Sequence, residues 1–144
     1  MHWLRAAGFA GVSILLSACA SASPIPEIEV GQVWSIKDTA NPSMRLTIEK
    51  IEPFRSDTVV HVSIKGGPVR TRISGEERIV TLGVIGHMPF EKSVLIDSLD
   101  QLEQSGAEGA HFFAQGYAIW KKDSGGIYSI PVMQAVEMIS TVTK

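Results

Sequence analysis

Two stretches of strict alternation constrain this chain more than anything else in it. Met44, Leu46 and Ile48 alternate with Arg45, Thr47 and Glu49, and Val60, Val62 and Ile64 alternate with His61, Ser63 and Lys65. A period of two puts one set on each side of a β-strand, whereas a helix would scatter both sets around its axis. Pro53 and Arg55-Ser56-Asp57 separate the stretches with turn residues. Together they predict adjacent strands of an antiparallel meander, with an apolar face on a core and a wet face outside. On that expectation His61 is an exposed structural histidine.

The flanking segments extend the pattern. Gly31–Lys37 is rich in strand formers and runs into the turn cluster Asp38–Ser43. After Gly66-Gly67-Pro68, Val69, Thr71 and Ile73 lie opposite Arg70 and Arg72, and Arg78–Ile85 reads as a strand covered on both faces. Gly86-His87-Met88-Pro89 reads as a hinge, with Pro89 at a first helical position and Glu91 in the opening turn. Leu95, Leu99 and Leu102 recur at helical spacing until Ser105-Gly106, with Asp97, Asp100 and Glu103 pointing elsewhere. His111–Lys121 then reads as an aromatic strand, Asp123-Ser124-Gly125-Gly126 as a hairpin turn and Ile127–Ile130 as the return strand. Pro131 opens a closing helix with Val132, Val136 and Ile139 on one stripe. The expected fold is α+β: an antiparallel sheet, made of an N-terminal meander and a C-terminal hairpin, packed by two amphipathic helices.

The chain opens differently. Arg5 is the only charge before an apolar run, Ala6–Leu16, which ends in Leu16-Ser17-Ala18-Cys19. A basic start, a short apolar core and a small-residue exit describe a secretory signal peptide, too short for a membrane-spanning helix of about 20 residues. Leu16-Ser17-Ala18-Cys19 resembles the lipobox of bacterial lipoprotein precursors. That resemblance implies cleavage before Cys19 and a lipid on its sulfur, with residues 1–18 removed. The small, proline-punctuated stretch 20–26 makes 19–28 the lipidated N-terminus and a flexible tether, and 29–144 is long enough for a single domain. The chain has one cysteine, so no internal disulfide competes for that thiol. Ala20 stands where an Asp holds enterobacterial lipoproteins in the inner membrane, so the resemblance points to the outer membrane of a Gram-negative bacterium, facing the periplasm. Losing the leader removes Arg5 and leaves 12 basic against 15 acidic side chains, a net charge of −3. That balance offers no field for nucleic acid. Gly31-Gln-Val-Trp34, His87-Met-Pro-Phe90 and Gly116-Tyr-Ala-Ile-Trp120 are also similar to small bacterial proteins without an assigned activity, which implies one domain from about residue 28 onward.

Chemistry-bearing patterns are sparse. His61, His87 and His111 have no partner at metal-ligand spacing, so neither a metal nor a cofactor is expected. No G-x-S-x-G elbow or phosphate-binding glycine loop is present. Asp97, Asp100 and Glu103 read as a solvated helix face. His87, in a break before a helix, is the one candidate catalytic residue. Trp34, Tyr117 and Trp120 are candidate ligand-binding residues, since Trp and Tyr favour interfaces, with ordinary core packing as the alternative. The expectation is therefore a non-enzymatic envelope module that binds a protein or envelope component. The alternatives are a small hydrolase pairing His87 with a helix carboxylate, and an immunity or inhibitor lipoprotein.

Overall fold

The structure, a computed structural model, describes residues 24–66, 68–81 and 83–142, with side chains throughout except at 68–73, 77–81 and 140–142. The signal segment, the lipobox and Cys19 lie outside the described residues. The alternating stretches form β2 (Arg45–Phe54) and β3 (Asp57–Lys65), paired antiparallel from Arg45 opposite Lys65 to Phe54 opposite Asp57. Their apolar sets, Leu46, Ile48, Val60, Val62 and Ile64, are at most 2% exposed. The register slips between Ile48 and Lys50, leaving Glu49 as a bulge. That extra residue returns Ile51 to the side of Val60 and explains why the sequence alternation stops after Ile48.

Around this pair, β1 (Val33–Ile36), β6 (Val84–Glu91) and β7 (Leu99–Gln104) complete an open antiparallel sheet in the order β6-β3-β2-β1-β7. Between β3 and β6 the chain forms a second ladder, β4 (Pro68–Ile73) with β5 (Glu76–Thr81), and β4 lies near the closing helix. Both residues of its tip, Ser74 and Gly75, have positive φ, as a type I′ turn requires. Gly66 turns the strand at φ 80°, and a Cβ there would lie 2.9 Å from the Ser43 carbonyl oxygen. β3 to β6 is thus one long hairpin bent near its glycines.

Two helices close one face of the sheet. Leu95 of α1 (Lys92–Ser98) and Val132, Ala135 and Val136 of α3 (Val132–Val142) are fully buried with Trp34, Met88 and Phe90. Buried Ser98 ties them together: its hydroxyl accepts from the Val132 N–H and donates to the Val94 carbonyl, both at 3.1 Å. The opposite, polar face is covered by α2 (Phe113–Lys122). No helix among the described residues is long and apolar enough to cross a membrane.

The fold is α+β, and it departs from expectation in several places, among them the expected strand Arg78–Ile85, which is divided between β5 and β6. Gly86–Pro89 is strand, not hinge: Pro89 sits in β6, opposite His61, and its carbonyl accepts the Tyr128 N–H at 2.9 Å. Proline is tolerated in a strand at the sheet edge. The helix expected to reach Ser105 stops at Ser98, because Leu99–Gln104 pairs with β1 as β7. His111–Lys121 holds α2 rather than a strand, since Phe113, Tyr117 and Trp120 recur at helical spacing and turn one face to the sheet. The C-terminal hairpin is therefore absent. Asp123–Gly125 ends α2, with the Gly125 N–H on the Trp120 carbonyl at 2.9 Å, and the expected return strand makes one parallel bridge, Tyr128 to Phe90. Among the described residues there are three helices rather than two, and the core already includes Ile28, 6% exposed.

Candidate functional site

The face expected to be wet carries a buried polar chain. His61 is 0% exposed because Tyr117 and Trp120 of α2 lie over its ring, and Ser63 is 4% exposed beside Glu49. Two features seat that helix. Bulged Glu49 accepts from the Ser63 hydroxyl and from the Ala110 N–H (2.8 Å), pinning the loop that enters α2. Gly116 then lets α2 lie close on β6, where a Cβ would come within 2.6 Å of the His87 Cβ.

Between helix and sheet, His61 Nδ1 lies 2.8 Å from His87 Nε2, and His61 Nε2 lies 3.1 Å from Glu52 Oε1. The Tyr117 hydroxyl donates to both Glu52 oxygens at 3.0 and 3.1 Å and accepts from Lys121 Nζ at 3.2 Å. A carboxylate only accepts, so the proton of neutral His61 resides on Nε2 and its Nδ1 receives the Nε2–H of His87. The result is a directed chain from His87 through His61 to Glu52. Trp120 and Tyr117 meet the His61 ring edge-on at centroid distances of 4.7 and 5.0 Å.

This environment holds both imidazoles neutral. Burial lowers the His61 pKa against the opposing pull of Glu52, and burial, with His61 alongside, lowers His87 to about 4. Burial works to raise Glu52, but hydrogen bonds from Tyr117 and His61 outweigh it and leave its pKa lowered. The Tyr117 hydroxyl and the nearby Glu52 charge raise that of Lys121.

Where the polar chain reaches the surface there is a cleft of about 360 Å³ between the β2–β3 turn and the end of α2. Glu52 forms its inner wall, Phe54 and Trp120 its aromatic side, with rings 5.6 Å apart, and Arg55, Lys121 and Ser124 its lips. Arg55 and Ser124 both have left-handed backbones, φ 54° and 51°, which is costly outside glycine and clusters at functional sites. Gly125 touches Trp120 so closely that no Cβ fits between them.

Of the sequence candidates, His87, Tyr117 and Trp120 come together between α2 and the sheet, and of these Trp120 lines the cleft. Trp34 does not: it is 6% exposed in the core on the other face, its indole N–H held by Gln32 at 3.0 Å. His87 is a half-buried strand residue and not a loop one, and its chain leads to Glu52 rather than to a helix carboxylate. The carboxylates expected on a helix face lie elsewhere: Asp100 with Ser35 and Glu103 with Arg45, both on β7. Sequence reading missed Glu52, buried His61, Phe54, Arg55 and Lys121. The Phe113, Tyr117, Trp120 spacing was the available signal for the covering helix. Among the described residues no three His, Cys, Asp or Glu side chains form a group able to hold a metal. No family model, curated protein or solved structure matches the chain.

Proposed function

We propose that this chain is a bacterial lipoprotein, held at the cell envelope through lipid on Cys19, whose folded domain is a non-enzymatic binding module. Support for the anchor is the leader sequence, where Leu16-Ser17-Ala18-Cys19 matches the lipobox at every position and carries the chain's one cysteine. Two acyl chains suffice for stable attachment, each buried methylene contributing roughly 0.8 kcal/mol. The observation that carries the binding reading is the cleft, where aromatic walls and convergent charges meet in a concavity of ordinary ligand-site size. The hydrolase alternative draws on the Glu52–His61–His87 chain, which has the carboxylate-oriented histidine of acid–base sites. It is disfavoured because His87 lies under α2 and does not line the cleft, and its lowered pKa makes it a weak base near neutrality. An immunity or inhibitor lipoprotein would use the same surface against a protein partner.

Two measurements test the proposal. Cys19→Ala abolishes incorporation of labelled fatty acid and leaves an uncleaved or mis-sorted precursor; normal labelling overturns the anchor. A photocrosslinking residue at exposed position 124 captures a discrete envelope component in intact cells, and Trp120→Ala weakens the capture. No adduct at position 124, in cells where lipidation is intact, counts against the cleft.

A further inference from the structure

The charges around the cleft are unevenly committed. Glu52 is engaged from three sides, by Tyr117, by His61 and by Lys50 Nζ at 3.8 Å. Arg55 and Lys121 have no carboxylate within ion-pair distance among the described residues. Arg55 makes no side-chain hydrogen bond there either; its guanidinium lies 4.9 Å from the Phe54 ring centroid, which positions the head group and leaves its donors open. Lys121 spends one of three donors on Tyr117. Two cations therefore line the cleft beside its aromatic wall, and the carboxylate there, Glu52, already has its oxygens held by Tyr117 and His61.

We propose that the cleft takes a small ring-bearing anion, its charged group held by Arg55 and Lys121 and its ring laid against Phe54 and Trp120. This inference rests on the cleft being a binding site and adds the class of ligand. A neutral ring would leave both cations unaddressed, and a cationic one would have to take Glu52 from partners that already satisfy it. A long polyanion does not fit, because two cations on a chain of net charge −2 provide no extended track.

The test uses one ring with three charges: benzoate, benzyl alcohol and benzylamine, added to the full chain in detergent. The readout is the indole N–H signal of Trp120, with buried Trp34 on the far face as internal reference. Benzoate moves the Trp120 signal saturably and leaves Trp34 still, while the other two produce less than about a tenth of the shift at equal concentration. Arg55→Gln and Lys121→Gln each weaken benzoate about 3- to 10-fold, as expected for a charge-assisted contact near the surface. If benzyl alcohol or benzylamine shifts Trp120 as much as benzoate, the ligand class is wrong and the cleft stands as a binding site. If none of the three moves Trp120 up to about 50 mM, where millimolar affinity would saturate, the cleft reading itself falls.

Discussion

At the scale of single residues, His61 is where the two layers of this face are joined. Its ring has one nitrogen on Glu52 and the other on His87, under a lid of Tyr117 and Trp120. His61→Ala leaves both partners short of a hydrogen bond and opens a void, so it destabilises the domain by about 2–4 kcal/mol in urea denaturation. A loss below about 1 kcal/mol would show that the chain contributes nothing to packing. Nothing in the sequence around His61 distinguishes it from an exposed alternate residue. Its burial depends on a helix more than 50 positions away, and alternation reports which side of a strand a residue faces, not what covers that side.

Helices and strands tell the same story at the next scale up. β2 and β3 were legible because their periodicity is local, as was the apolar stripe of α3. α2 was misread because Phe112, Phe113, Tyr117 and Trp120 are strand formers by propensity, and that preference outweighed the i, i+4, i+7 spacing of Phe113, Tyr117 and Trp120 that fits a helix. β7 was misread for the opposite reason. Leu95, Leu99 and Leu102 mimic a helical stripe, yet only Leu95 and Leu99 are buried, and the chain leaves the helix at Leu99 to pair with β1. Gly116 tests how tightly α2 must sit. Alanine there gains about 1 kcal/mol of helix propensity, but its Cβ would press on the His87 Cβ, which cannot swing aside. Gly116→Ala therefore lowers stability by about 1–3 kcal/mol in thermal or urea unfolding, and a more stable variant would refute the close approach.

Across the whole molecule, the buried imidazoles make stability depend on pH. His87 titrates near 6.5 in the unfolded chain and at about 4 when folded, facing His61 on β3 and the Phe113, Tyr117 and Trp120 rings of α2, while Glu52, Lys50 and Lys121 act on the His61 beside it. The unfolded state binds the proton first as pH falls, so the contribution is complete above about 6.5 and declines down to about 4, by roughly 2–3 kcal/mol. Glu52, with its lowered pKa, adds a further loss below about 4.5. Urea midpoints at pH 7, 5.5 and 4.5 should fall in that order, with a shallower slope in His87→Asn; a flat series rules out a neutral buried pair. What the sequence determined alone was whatever rests on near neighbours: the strand alternation, the turn residues, the closing helix, the α+β class and the expectation of a lipidated Cys19. What only the tertiary structure decided was which surfaces meet. It brought Glu52, His61 and His87 from three strands under one helix and left Trp34 in the core on the far side. Those contacts join residues distant along the chain, and a local pattern carries no record of its distant partner.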